Sequence, residues 1–398
     1  MTTTLQPLQN NQRDKNLDIL RGFAMAGVLF VFCAGDIGIA ESYTNSVMDD
    51  AIKWFKWIMV EERMYSMLIL VFGIGFSVQF QKAKQKGESL VPVFLRRLVG
   101  LLLIGFIHGV FISSRDILFF YGIAGFALLP ARNFNNRQLL IYILIVLLVW
   151  LNLNTILHAF GINPVRLGSW VPPNNYASYL EFNWQFFKGY HQFYGIYFDM
   201  LLSFLIGFYV GKSNLLGKIE SYKKWRLKVL VISFILTAGL AVFQYGWLQN
   251  GGYEKIIKNI RTDALKKLIG VGMRLVWKIG ELSFVLLYAS LLIAINSSRI
   301  GQRLLRTLAA FGQIALSNYL IQSVLLVPYA LWFDKYNNTP PFKGTILFIV
   351  VFVFQLAFSS WWLKRFRFGP FEWLLRSFTY WKWQPMKKNE IIQTAKQS

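Results

Sequence analysis

"GFIHGVFISSRDILFFYG", residues 105–122, sets His108 and the adjacent Arg115 and Asp116 inside a long run of Leu, Ile, Phe and Val. Ionisable side chains are costly in hydrocarbon, so each one needs a cavity or a partner. Ser113 and Ser114 can break a helix at this point. The stretch therefore reads as the tip of a tight helical hairpin that folds the Asp116 carboxylate back toward the His108 imidazole. Gly105 and Gly109, four apart, let a neighbouring helix approach closely. A carboxylate that fixes the imidazole tautomer is what a general base requires. A lone histidine on such a face is otherwise a satisfied packing group.

The surrounding composition says what solvent this hairpin meets. Of 398 residues, 55% are apolar and only 15% charged, far from a soluble globular balance. Apolar windows long enough to cross a bilayer as helix recur at 19–36, 64–80, 98–114, 116–131, 139–158, 197–212, 229–248, 279–296, 308–331 and 344–363. The expected fold is an all-α polytopic membrane protein, with about ten transmembrane helices in one bundle. The third and fourth are short and nearly contiguous. Residues 1–16 form an N-terminal segment, 17–383 the transmembrane domain and 384–398 a polar tail.

A net charge of +23 invites a nucleic-acid partner, but the positions of the basic residues exclude that reading. Most of the 42 Lys and Arg residues fall at the N-terminus, at 81–97, 132–137, 212–228 and 299–306, and in the tail from Lys364. These are alternate loops, so the positive-inside rule makes that side, and both termini, cytoplasmic. The opposite loop at 37–50 carries Asp49 and Asp50 instead. The basic stretch 253–278 dissents. Its apolar residues fall on one stripe, which reads as an amphipathic helix in the outer interface. Cys33 is the one cysteine and sits in the first span, which rules out an intrachain disulfide. The N-terminus lacks a cleavage pattern for a signal peptide. "VFGIGFSV" at 71–78 lacks the third glycine of a dinucleotide motif. With His108, His158 and His191 far apart, no metal centre is expected.

Other intramembrane polar residues form the candidate binding set. Asp18 and Arg21 are three apart at the start of the first span, either as an anchoring ion pair or with Arg21 facing an anionic ligand. Gln313, Ser317, Asn318 and Gln322 give the ninth span one polar face, which suits interhelical hydrogen bonds as well as a ligand cavity. Beyond the tenth span, Pro370 opens a short helix carrying Glu372 and Arg376 at i,i+4, with Arg365 and Arg367 placed to meet phosphate. Arg274, Lys278 and Glu281 share a face entering the eighth span as a charge-compensated cluster.

The blocks "LDILRGFAMAGVL", "VFGIGFSVQF", "RRLVGLLLIGFIHG", "RDILFFYGIAGF", "LAAFGQIALSNYLIQS" and "WWLKRFRFGPFEWLLRSFTY" resemble, in order, those of the YeiB family, known as domain of unknown function 418. That family is similar to transmembrane acyltransferases such as heparan-glucosaminide N-acetyltransferase and the glucan succinyltransferases. The resemblance implies a bacterial inner-membrane protein that takes an acyl group from cytoplasmic acyl-CoA, uses a histidine base and passes the group to an extracytoplasmic acceptor. Carried over residue by residue, Asp18 and Arg21 match the first block, His108 and Asp116 the HG…DIL pair, and Asn318 the TNYL-like element. Two positions depart from the family pattern. Phe32 stands where Asn is common, and Gly312-Gln313-Ile314 where Gly-Arg-Met is common. Expected partners are the lipid bilayer, a small-molecule or glycan acceptor and a second copy in a homodimer. Arg115 would then meet the acceptor or headgroups. A permease in which His108, Asp116 and the ninth-span polar face line a path is the rival reading, and a non-catalytic scaffold is the third.

Overall fold

A computed structural model describes residues 14–36, 46–85, 87, 89–114, 116–160, 175–190, 194–249, 251, 255, 258, 260–332 and 339–388. Among them every regular element is helical, and the one β-bridge is an isolated pairing of Phe366 with Lys387. Helix α1 (Lys15–Val31) starts at Asp14, whose side chain accepts from the Asn16 and Leu17 amides. It is the central helix: 83% of its apolar window is buried, against 17% for α10 (Lys223–Gln249). Helices α2 (Val47–Phe55) and α3 (Glu61–Gln85) run on through one π-helical turn, and α4 (Val91–Ile107) follows. Next come α5 (Leu118–Leu128), α6 (Asn136–Ala159), α7 (Tyr176–Tyr190), α8 (Tyr194–Lys212) and α9 (Leu215–Ser221). After α10 the chain forms α11 (Asp263–Asn296), α12 (Arg299–Leu304), α13 (Arg306–Gln313), α14 (Ala315–Trp332), α15 (Pro341–Arg365) and α16 (Pro370–Tyr380).

Eight helices are long and apolar enough to cross a membrane, or nine when the bent pair α13–α14 is taken as one span. The expected fourth, at 116–131, is not among them. Its α-helical part, α5, has 11 residues, which reach about 17 Å at 1.5 Å per residue. A 3₁₀ turn over Leu129–Asn133 prolongs it, and it packs back on α4 and α8 as the return leg of the hairpin. Exposed Leu, Ile, Val and Phe residues on α6, α10 and α15, including Leu144, Ile235 and Val353, form the lipid-facing surface. Burying them elsewhere is unnecessary, because lipid is as apolar as they are.

Two further expectations change. Residues 263–278 are no separate interfacial helix but the first half of the 34-residue α11; most of 253–259 lies outside the described residues. A stripe of one helical period looks the same in either arrangement, and the charges that seemed to mark an interface are partly drawn into the bundle. The ninth span is not straight either. It breaks at Ile314, and α13 and α14 meet at 82°. Gly312 explains the position of the break, because it lies against the Asp18 carbonyl and the Gly22 amide of α1, closer than any side chain permits. α13 is thereby fixed across α1.

Candidate functional site

At residues 108–112 the last turn of α4 widens to a π-helix, a form that recurs at functional sites. Ser113 then leaves helical geometry and α5 begins at Leu118. Gly105 lets the start of α5 come against α4, since a Cβ there would strike the Phe119 amide and the Asp116 carboxylate. The outcome is the contact expected from the opening stretch: His108 Nδ1 lies 2.8 Å from Asp116 Oδ1, with both side chains 1% exposed. Asp116 Oδ2 accepts from the Phe119 amide at 2.7 Å and caps α5. One carboxylate thus starts a helix and holds an imidazole. With Nδ1–H donating to Asp116, the Nε2 lone pair remains, and Nε2 is buried without a hydrogen-bond partner. The Tyr319 ring lies 5.0 Å from the imidazole, and its hydroxyl accepts from the Ile117 amide at 3.3 Å.

A cavity of about 810 Å³ lies beside this hairpin, within the ~300–1,000 Å³ of small-molecule sites; Ile117, Leu118 and Tyr319 line it, whereas His108 and Asp116 stand just behind them and are not among its lining residues. It runs from the end of the bundle where α1 and α4 start and α3 ends, past Phe72, Phe94 and Leu101, to Ile117, Tyr121 and Tyr319. Arg21, Lys82, Arg97 and Arg376 line it, opposed by Asp14, Asp18 and Glu372. Arg21 Nη1 is 3.0 Å from Asp18 Oδ1, so the expected ion pair forms and both partners also face the cavity. The Arg97 guanidinium lies 5.4 Å from the Phe72 ring centre.

Glu372 does not pair with Arg376 as the i,i+4 spacing suggested. It accepts from the Leu316 and Ser317 amides at 2.7 and 3.1 Å and from the Ser317 hydroxyl. Those amides are the first of α14, unsatisfied donors at a positive helix end created by the break, and a carboxylate answers both needs. Burial pushes the Glu372 carboxyl above its ordinary range, and these hydrogen bonds pull it back. Arg376 packs on the Phe368 ring at 4.5 Å and lines the cavity. Arg365 and Arg367 do not line it: they lie on Trp361 and Phe368 at 4.6 and 5.2 Å.

The expected polar face of the ninth span is split by the break. Gln313 lines the cavity, whereas Asn318 turns away to donate to Phe311 O and Ser359 Oγ at 3.0 Å each. Gln322 is fully buried, and both atoms of its amide lack partners. Arg115 lies outside the described residues. Lys82, Arg97, Tyr121 and Arg376 are cavity residues that sequence reasoning did not single out as ligands. The first two were visible only as loop charge and Arg376 only as a helix-surface partner.

A second buried cluster lies apart from the cavity. Lys278 Nζ is 2.8 Å from Asp199 Oδ1, 2.7 Å from Glu281 Oε1 and 3.0 Å from Ser203 Oγ. Ser66 donates to Glu281, and Arg63 donates to the Trp57 carbonyl and to Gln244 at 2.9 and 3.1 Å. The expected charge compensation of Lys278 by Glu281 is present, with Asp199 as a third member. Arg274 instead donates to Gly270 O at 3.4 Å. Among the described residues no group of three His, Cys, Asp or Glu side chains is placed to hold a metal ion.

These features define a polytopic helical membrane protein with a cation-lined cavity that ends at residues adjoining a buried His–Asp pair. The chain is similar to the DUF418 family over part of its length. That family's model, described as protein of unknown function (DUF418), matches residues 210–382, which include the broken helix and Glu372. The likeness to individual relatives runs nearly the full length. Uncharacterized protein YxaH of Bacillus subtilis is 27% identical, covering 98% of this chain and 100% of its own. An uncharacterized 39.9 kDa protein in the amylase 3′ region of Bacillus acidopullulyticus is also 27% identical, covering 94% and 96%. Uncharacterized protein YeiB of Escherichia coli is 23% identical, covering 92% and 96%.

Proposed function

We propose that the protein is a bacterial inner-membrane acyltransferase that moves an acyl group from cytoplasmic acyl-CoA to a hydroxyl or amine on an extracytoplasmic glycan, lipid or small molecule. The observation that carries this reading is the cavity with basic residues at one end and, at the other, Ile117 and Tyr319, which adjoin a buried His108–Asp116 pair whose Nε2 has no partner. Arg97, Arg376 and Lys82 suit the phosphates of the donor. His108 stands eleven residues further along the α4 segment than Arg97, about 17 Å of helix, a span that an extended pantetheine arm covers. The His108 Nε2 lone pair takes the acceptor proton as the acceptor attacks the thioester carbonyl, and Asp116 stabilises the imidazolium. The C–S bond then breaks, and the CoA sulfur leaves with that proton. The basic end of the cavity coincides with the side that the loop charges make cytoplasmic.

Titration calorimetry of the purified full chain with acetyl-CoA and succinyl-CoA tests the reading. Binding of either thioester, lost when Arg97 and Arg376 are both changed to Glu, is the expected result. Folded protein that binds neither would end it. The broken α13–α14 span favours one rival, since discontinuous helices also build carrier sites. A carrier would move a solute into vesicles without consuming a thioester.

A further inference from the structure

Tyr121 lies at the inner end of the cavity, one turn into α5 from the hairpin tip. The residue is 7% exposed, and its hydroxyl is buried with no hydrogen-bond partner. The ring itself is well held, 5.8 Å from Phe72 and 5.3 Å from Phe204. A phenylalanine would make those ring contacts equally well, so packing does not account for the oxygen. An unpaired hydroxyl in apolar surroundings carries a free-energy cost. Such a cost is offset if the group has a partner at some stage of the working cycle. Tyr121 also shares its surroundings with the pair described above, being close enough to the Asp116 carboxylate for the two to interact electrostatically. It therefore lies near the Asp116 carboxylate and, like Tyr319, on the cavity side.

We infer that Tyr121 is a further catalytic residue, whose phenolic O–H donates to the carbonyl oxygen of the acyl thioester as that oxygen becomes an oxyanion. This rests on the acyl-transfer reading and adds its missing electrostatic component. When the acceptor oxygen or nitrogen bonds to the carbonyl carbon, the C=O π pair moves onto the carbonyl oxygen. The acceptor proton goes to His108 Nε2, and the Tyr121 hydroxyl holds the new negative charge without giving up its proton. As the charge returns to re-form C=O, the C–S bond breaks and the sulfur takes the proton from His108. The products are an ester or amide and free CoA thiol. A neutral donor already in place in a dry site needs no reorganisation at that moment, which is why removing one such donor typically costs ~10²–10³ in turnover.

The test uses Tyr121→Phe in the full chain, with two readouts. Acetyl-CoA and succinyl-CoA affinity is measured by calorimetry on purified protein. Turnover is measured as CoA thiol released from each thioester by membrane vesicles carrying the protein, whose own glycans and lipids serve as acceptors. The expected result is affinity within about threefold of the parent and thiol release reduced about 10²–10³-fold. Equal thiol release in parent and variant would overturn the assignment while leaving acyl transfer standing. A fall in affinity that matches the fall in turnover would also overturn it, because Tyr121 would then be a ground-state binding group. If the parent binds neither thioester, both the assignment and the reading beneath it fail, and that outcome appears before the variant is compared. Tyr121→Leu, which removes ring and oxygen together, checks the packing argument. It should lower the melting temperature, whereas Tyr121→Phe should not.

Discussion

The two buried charged clusters are built from similar groups and end in opposite conditions. Around Lys278, two carboxylates and a serine surround the ammonium, and Arg63 reaches a carbonyl and an amide. Charges there are matched, although Arg63 Nε and Gln244 Nε2 also lack hydrogen-bond partners, and nothing from that cluster lines the cavity. Around His108, one nitrogen is held by Asp116 while the other, and the neighbouring Tyr121 hydroxyl, have no partner. Burial alone does not distinguish a site from a strut. A compensated cluster keeps helices together, because removing a member strands a charge, whereas a cluster with an open donor on a cavity wall, as Tyr121 is, is prepared for something that arrives later.

His108→Ala separates the two most sharply. Thiol release from acyl-CoA should fall by roughly two to four orders of magnitude, the range for losing a general base. The melting temperature of the detergent-purified protein should hardly change. A variant that melts early yet keeps its turnover per folded molecule would make the His–Asp pair another strut. Lys278→Met is the mirror experiment: it strands the buried Glu281 carboxylate and the partly exposed Asp199 beside it, so stability should drop by about 3–5 kcal/mol. Turnover per folded molecule should stay near the parent's, and a specific loss of turnover with an unchanged melt would erase the contrast. Glu372→Gln should have a smaller effect on both sides, because it weakens the charged cap of α14 by about 1–2 kcal/mol. Acetyl-CoA affinity measured by calorimetry should fall with it, since Glu372 also lines the cavity. Smallest of all, Arg376→Gln should weaken acetyl-CoA binding about three- to tenfold and flatten its salt dependence. Arg365→Gln should leave binding unchanged. Equal effects from the two arginines would mean that the cavity does not define the donor site.

The parts legible in the sequence were those set by local spacing. His108 and Asp116 are eight residues apart across two serines, so their meeting required only a hairpin. The Asp18–Arg21 and Lys278–Glu281 pairs follow from one helical turn. Long-range partners left no such trace. Glu372 meets Ser317 across 55 positions, and the nearer Arg376 drew the expectation away from it. The break at Ile314 has no proline to announce it; Gly312 reads as ordinary small-residue packing until α1 is seen against it. Likewise, apolar periodicity in 263–278 cannot tell a helix lying on the bilayer from one that continues into it.

The brevity of α5 has a consequence for how the protein is made. A segment of 11 helical residues is below the ~17–25 that a membrane needs to accept a helix by itself. Its polar neighbours at the tip make solitary entry costlier still. The leg must therefore enter against α4, which is long enough to cross by itself, once the ribosome has passed Asn133. His108 and Asp116 would meet during synthesis rather than after the bundle closes. Truncated chains fused to a sidedness reporter check this. Fusions ending within α5 should leave the reporter on the far side, and those ending beyond Arg137 should return it.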